Sequence, residues 1–523
     1  MPALLRYPGV YIEETPSNIR TIAGVPTSVA AFIGRTALGP VDEPTVISNL
    51  SDFERRFGAL HTDYPLSYAV RDFYLNGGGT AVILRLYKPT GKAAGKATLK
   101  PTGIDLAAAT PGTWANGLRV RIDTAVSEDV AKRLGLTKAD LFNLTVRDTR
   151  TGVEERFLNL TGKESARRAD HVLAAESTLL RVTTALPANS IPTAHQDPDP
   201  TKTVWTDDKA STPVADVGID SAALTASGDF VGSAGQKTGL YALKKIDIFN
   251  LLCIPPDTRG GDVPTAVLTE AAAFCAEQRA VLIVDPPTAW KETGTINTDA
   301  LGVTGPAARN AAVYFPRVIA ADPLRGGQLN SFAPCGMVAG VIARTDVRRG
   351  VWKAPAGTDA SLVGAAGLTV GLTDDENGLL NPQGINALRQ FPVIGRVVWG
   401  ARTLRGADIL ADEYKYLPVR RLALHIEESL YRGTQWVVFE PNDEPLWSRI
   451  RLNVGAFLNT LFRQGAFQGR TPGEAYFVKC DKETTPQSDI DRGVVNVAVG
   501  FAPLKPAEFV VIKIQQMTGQ VQT

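Results

Sequence analysis

Four cysteines and four histidines are few for 523 residues, and their placement excludes more than their number does. Cys253, Cys275, Cys335 and Cys480 form no CxxC pair, which removes a zinc ribbon, a thioredoxin-like motif and a disulfide framework. Scattered thiols of this kind are expected as small buried apolar groups in a reducing compartment. His61, His171, His195 and His425 build no HExxH or HxH arrangement, so imidazole-based acid/base or metal chemistry has few candidates. An excess of one charge is missing too: 55 basic residues face 54 acidic ones, a net charge of +1. Bulk attraction to nucleic acid or to an anionic membrane is thereby excluded. Dense packing of like subunits is favoured, because their long-range repulsion is small. The longest apolar stretch, around Ala333–Ala343, is broken by Pro334, Gly336 and Gly340. It falls well short of the roughly 20 residues that span a bilayer. The opening residues carry no apolar signal core, so a soluble, cytosol-made protein is expected.

What is present reads as globular: 44% hydrophobic and 21% charged residues, in a length that suits about three to four domains. Residues 1–20 are extended in character, with Pro8, Gly9 and Pro16 against a helix and Val10, Tyr11 and Ile12 favouring a strand. An α/β pattern follows: a strand at Val29–Ile33, helices at Leu50–Phe57 and Pro65–Leu75, a Gly77-Gly78-Gly79 break, and a strand at Thr80–Tyr87. From about 90 to 235 the composition turns to Ala, Thr, Asp, Lys and Ser. There Leu118–Asp123 alternates like a half-buried strand, Leu141–Asp148 and Val153–Leu160 form a hairpin, and Ala188–Ala215 is a polar loop. Strand Ile246–Ile254, helix Ala266–Gln278 and strand Ala280–Val284 resemble a parallel βαβ unit. Further on, Leu446, Ile450, Val454, Phe457, Leu458 and Leu461 share one helix face, with Asp443 as cap and Pro445 in the first turn. Strands are expected at Glu474–Cys480, Val494–Phe501 and Glu508–Gln515; the last is apolar on both sides and needs a partner.

Catalytic and ligand motifs are incomplete. Gly91–Ala97 and Gly232–Thr238 each miss part of a phosphate loop, and no Gly-x-Ser-x-Gly elbow occurs. His425 and Glu428 would be helix neighbours able to share a metal, but a salt-bridged face beside Arg420 and Arg421 is the plainer reading. Asp374-Asp375-Glu376-Asn377-Gly378 lacks the alternating oxygens of a calcium loop. No catalytic, cofactor or metal residue is therefore assigned.

Several stretches, in order along the chain, together resemble the contractile tail sheath family of myophage tails and phage-derived contractile injection systems. They are Tyr7-Pro8-Gly9-Val10-Tyr11-Ile12-Glu13-Glu14; Trp114-Ala115-Asn116-Gly117-Leu118, where a Gly more commonly precedes the Asn; Gly336-Met337-Val338-Ala339-Gly340; and Ala343-Arg344-Thr345-Asp346 with Arg349–Ala356. Gly384-Ile385-Asn386, Trp399-Gly400-Ala401-Arg402-Thr403-Leu404, Tyr416–Arg421 and Ile426–Ser429 follow, then Phe439–Asp443 with Leu446-Trp447, and Gly473–Tyr476 with Cys480-Asp481.

The resemblance implies a non-enzymatic subunit, without cofactor, that polymerises as stacked hexameric rings around an inner tube and contracts. Its implied partners are copies of itself, the tube protein, and baseplate and terminal cap proteins, with no direct nucleic acid and no membrane insertion. Assembly would occur in the bacterial cytoplasm, as part of a virion tail or injection particle. The expected fold class is multidomain α/β (α+β). Arms at 1–20 and 506–523 flank body segments 21–90 and 236–379, a β-rich outer insertion at 91–235, and a tube-facing inner domain at 380–505. Tyr7, Val10, Tyr11 and Ile12, with Phe509, Val510, Val511, Ile512 and Ile514, are the implied arm strands that pair with neighbours. Val495, Val497, Val499 and Phe501 are the expected receiving sheet. Arg449, Arg451 and Arg463 meet either an acidic tube or solvent. The competing readings are a hydrolase built on Ile246–Val284 and a different tail component, such as a tube or baseplate protein.

Overall fold

The computed structural model describes residues 21–91 and 95–512. Its centre is an eight-stranded mixed sheet drawn from widely separated parts of the chain. Its strands are β1 (Ala30–Gly34), β2 (Thr45–Ile47), β3 (Ala81–Arg85), β4 (Leu251–Cys253), β5 (Val281–Val284), β6 (Ala311–Phe315), β7 (Ile385–Phe391) and β8 (Gly395–Val398). In space they run β8-β7-β6-β5-β4-β1-β3-β2, parallel except for the two edge strands β2 and β8. The parallel strands are short apolar runs buried on both faces, as a sheet covered on both sides requires.

Helices α1 (Leu50–Phe57) and α2 (Pro65–Leu75) occupy the ranges their apolar spacing predicts. The Asn49 side chain caps α1 by accepting from the Asp52 amide at 2.8 Å. The α3 helix (Thr265–Glu277) covers one face of the sheet, with Phe274 and Ala271 in a core that includes Ile33, Leu84 and Leu252. Helix α4 (Cys335–Arg349) covers the other face together with α2. The two helices meet at Gly336 and Gly340, where their backbones approach so closely that a Cβ on Gly336 would lie 2.1 Å from the Ala69 carbonyl oxygen.

The insertion between β3 and β4 has its own core around Leu118, Val120, Phe142, Leu144 and Leu173. The expected hairpin is formed by Phe142–Asp148 and Glu154–Leu160, with Leu118–Asp123 paired to the first of these. Beyond the sheet, α5 (Leu417–Gly433) and α6 (Glu444–Arg463) lead to a two-stranded antiparallel sheet of β9 (Tyr476–Lys479) and β10 (Ala498–Phe501). Asp443 caps α6 at the Leu446 amide, 3.1 Å away, and the predicted apolar face is buried with Ile22 from the start of the described chain.

Three expectations are corrected. The boundary placed at residue 380 cuts through the central sheet, because β7 pairs with β6 and carries β8 with it. The strand expected over Ile246–Ile254 reduces to β4, since 239–245 is a 3-10 helix and Asp247 turns out to meet Arg432 at 2.6 Å. Only Ala498–Phe501 of the Val494–Phe501 stretch is strand. Val495, Val499 and Phe501 pack on the C-terminal core while Val497 is exposed, so the four do not share one buried side. Within Glu508–Gln515, the described residues 508–512 form no strand with any described part of the chain. Tyr7, Val10, Tyr11, Ile12 and Ile514 lie outside the described residues.

Candidate assembly surfaces

Three distant stretches converge where α5 meets the body. Arg421 lies against Asp346 of α4, with Nη1 to Oδ1 at 2.8 Å and Nη2 to Oδ2 at 2.5 Å, and both side chains are only 3% exposed. Thr27 completes the site: its hydroxyl donates to Asp346 Oδ2 at 2.7 Å, and its carbonyl accepts from Arg421 at 2.8 Å. The charges of the pair are satisfied by one another and by the backbone, so the C-terminal helices are fixed to the sheet by a directional lock as well as by apolar contact.

His425, one turn further along α5, packs against Gly24 and Phe457 with a buried Nδ1 that has no hydrogen-bond partner among the described residues. Burial pulls its imidazole down to about 4, with Asp346 opposing and Arg421 reinforcing the shift. An unfolded histidine titrates near 6.5, so the unfolded chain takes up the proton first. Stability contributed by neutral His425 is thus full above about pH 6.5 and lost as pH falls toward 4, by up to about 3 kcal/mol. Burial raises the carboxyls of Asp72 and Asp285 to about 6, and these act in the opposite sense over the same range. The difference between wild-type and His425→Gln urea profiles at pH 4.5 and 7 isolates the histidine. The wild type is expected to lose more stability on acidification, and parallel profiles would exclude this role.

The C-terminal unit presents the surfaces that the sequence marks for assembly. The sheet of β9 and β10 has only two strands, so each has an outer edge without a ladder partner among the described residues. Such a small sheet is marginal alone and is a template for an added strand. Of the three arginines, two are engaged within the chain. Arg449 stacks over Trp436 and reaches Glu440 at 3.5 Å; Arg451 bonds Glu444 at 2.5 Å and donates to the Cys480 carbonyl. Arg463 is exposed at the end of α6 and has no carboxylate within salt-bridge distance among the described residues.

After β10 the chain crosses back to the body. The segment Leu504–Phe509 forms one wall of a groove of about 780 Å³, whose other walls include Trp352, Lys353, Trp399 and Gln464. Glu508 ends this crossing in a bidentate pair with Arg402, Nε to Oε1 at 2.8 Å and Nη2 to Oε2 at 2.5 Å, and receives the Tyr416 hydroxyl at 3.3 Å. The Arg402 side chain has no exposed surface, and its remaining Nη1 donates to the Asn381 and Gly406 carbonyls and to Asp408. Asn386 holds the same residue by its backbone, accepting from the Arg402 amide at 2.7 Å and donating to its carbonyl at 2.8 Å. Past Glu508, Phe509, Val510, Val511 and Ile512 are 76% to 82% exposed. Sequence reasoning did not foresee the Arg402–Glu508 pair. Its one signal was an isolated acid ahead of an apolar run, which has no meaning until the fold brings Arg402 beneath it.

Places where a ligand would be expected are filled or committed. Strand order reverses between β1 and β4, the position where open α/β sheets leave a crevice at their C-terminal edge. Here Arg35 and Asp257 close it with a bidentate pair, both 8% exposed, while the Leu224 amide and Ser221 carbonyl of the returning insertion bond to the same two residues. A hydrolase on the Ile246–Val284 unit would need this space. Glu428, weighed as a metal partner of His425, instead bonds Arg279 and Arg432 at 2.7 and 2.6 Å. Among the described residues no group of three or more His, Cys, Asp and Glu side chains could hold a metal ion, and no helix is long and apolar enough to cross a membrane.

Comparison with known proteins agrees with this layout. Residues 232–404 match the phage tail sheath protein central domain, and residues 411–517 match the phage tail sheath C-terminal domain; together they take in more than half of the chain. No curated protein matches the sequence. Among solved structures, the anti-feeding prophage helical sheath in its contracted state is 24% identical, with a TM-score of 0.57 and coverage of 98% of this chain and 100% of that one. The sheath complex of the extracellular contractile injection system PVC, also contracted, is 22% identical with a TM-score of 0.57 and 98% coverage of both chains. A sheath tail protein from Listeria innocua is 16% identical with a TM-score of 0.59, covering 92% and 96%. At these identities the likeness establishes a shared fold.

Proposed function

The chain belongs to the phage tail sheath family and is a structural sheath subunit, and from that premise we propose that its copies stack in six-fold rings around an inner tube and contract to drive that tube through a target envelope. The observation that carries the reading is a matched pair of features. A two-stranded sheet has both edges open, and an apolar C-terminal segment is held out from the body with no strand partner of its own among the described residues. A strand from a neighbour would complete the sheet through main-chain bonds, each contributing about 0.5–1.5 kcal/mol net. Many such bonds along a polymer connect the subunits even while they change position. The extended form stores its free energy in subunit packing, and contraction releases it by rigid-body movement with the arms as hinges. The buried Asp346–Arg421 lock suits that role, since it makes the body and C-terminal unit travel together. Baseplate and cap proteins would close the two ends, with assembly in the bacterial cytoplasm.

The tube contact falls to α6, and Arg463 is the arginine best placed for an acidic tube surface, because Arg449 and Arg451 are occupied at home. One assembly experiment tests both contacts, with purified subunits added to preformed tubes and viewed by negative-stain microscopy. Removal of residues 509–523 is expected to leave folded subunits that form no sheath of normal length. Arg463→Glu is expected to reduce recruitment to the tube several-fold. Full-length contractile sheaths from the truncated chain would sink the arm reading, and normal recruitment of the Arg463 variant would sink the tube contact.

A further inference from the structure

We propose that Arg402 is the fixed pivot of the C-terminal arm: it clamps Glu508 to the subunit's own body, so that the hinge begins at Phe509 and not where β10 ends. The inference rests on the arm reading above but uses different observations. Without a clamp, the chain after Phe501 has little to hold it. Phe467 bridges Pro503, and Leu504 and Lys505 are exposed. A free arm would then swing from about residue 503. Each extra residue of slack adds roughly 3.3–3.6 Å of reach, so an early pivot would widen the arm's range by up to about 20 Å. Glu508 removes that slack. Its carboxylate has a bidentate partner whose side chain is wholly buried, and whose orientation is set independently by the Asn381 and Gly406 carbonyls, Asp408 and Asn386. A guanidinium held on all sides before the acid arrives offers it one geometry, which is what a pivot requires. The clamped crossing also completes the groove beside Trp399 and Trp352, so unclamping would remove one of its walls.

The chemistry is specific in a way that can be measured. Glu508→Gln keeps size and one acceptor but loses the charge and the two-pronged match, and Glu508→Asp keeps the charge on a shorter stem. In the unassembled full-length chain carrying a nitroxide label at Ala507→Cys, the four native cysteines being buried, the mobile fraction of the label is expected to rise severalfold in the Gln variant. Hydrogen exchange in α5 and α6 should stay unchanged. An unaltered label spectrum would overturn the clamp, whatever the arm does. In assembly, sheaths of the Gln variant are expected to form but to vary in length and ring-to-ring rise, with Asp intermediate between Gln and wild type. Uniform, normally contracting sheaths from a variant whose label at residue 507 is more mobile would overturn the pivot role. Truncation at 508 keeps the clamp and removes the arm. Normal assembly of that truncated chain strikes at the arm reading, while the label result still stands or falls alone.

Discussion

Asp346→Ala is expected to weaken the subunit by about 3–5 kcal/mol, because it leaves the Arg421 guanidinium buried with no counter-charge. One further bond to the same carboxylate is at stake, since Thr27 loses the acceptor for its hydroxyl. The effect should fall first on the join between α5 and the body, where Arg421 meets α4 and Thr27. Urea unfolding of the unassembled chain, followed by limited proteolysis between residues 404 and 417, reads both the size and the place of the loss. Replacing the pair together, as Asp346→Leu with Arg421→Met, should recover much of the stability, since two apolar side chains leave no stranded charge. Such a variant would still lack the directional lock, and its sheaths should contract less completely. A single Asp346→Ala chain as stable as wild type would show that the lock contributes nothing.

Gly336→Val is expected to leave no soluble folded subunit. A Cβ at 336 would stand 2.1 Å from the Ala69 carbonyl oxygen, and at 340 it would stand 2.5 Å from that of Phe73. Both obstacles are backbone of α2, which cannot rotate away as a side chain can. Helix α4 would have to retreat from α2 and open the core that holds Met337, Val341, Phe73 and Tyr68. Overpacking of this kind costs about 1–3 kcal/mol where side chains can yield, and more where the backbone must move. Even Gly336→Ala should therefore destabilise, although Ala is ordinarily better than Gly in a helix by about 1 kcal/mol. Gly455 of α6 provides the contrast, because a Cβ there meets nothing within 4 Å. Gly455→Ala should raise the urea midpoint by the propensity term alone. A gain from Gly336→Ala of similar size would contradict the close packing.

The elements that were legible in the sequence are those whose pattern is local. Helix α2 and strand Leu118–Asp123 stand where their periodicity puts them, and the cap at Asp443 starts α6 as expected. What was not legible depends on contacts between distant stretches. The apolar run Ile246–Ile254 looked like one strand, yet Asp247 is drawn toward the α5 surface and only three residues pair in the sheet. The place of β7 was missed because nothing in Ile385–Phe391 says which strand it will join; β6 decides that. The stretches that carried the family resemblance are a third case. Asp346, Arg421, Arg402 and Asn386 were noted for their order along the chain, and the fold shows them to be the polar joints between units. Their partners lie up to hundreds of residues away, so their types were visible and their roles were not.

The two-stranded sheet of β9 and β10 has a consequence that can be put as valence. Two strands have two free edges, so among the described residues this sheet can accept at most two foreign strands. In the proposed lattice each subunit also gives two, one from each end of its chain. Donors and acceptors then balance for every subunit in the interior, and the polymer has no internal reason to stop. Only the first and last rings hold edges or arms that nothing satisfies. The ends of such a cylinder are thus chemically unlike its wall, sticky where the wall is saturated, and whatever fixes its length must act there.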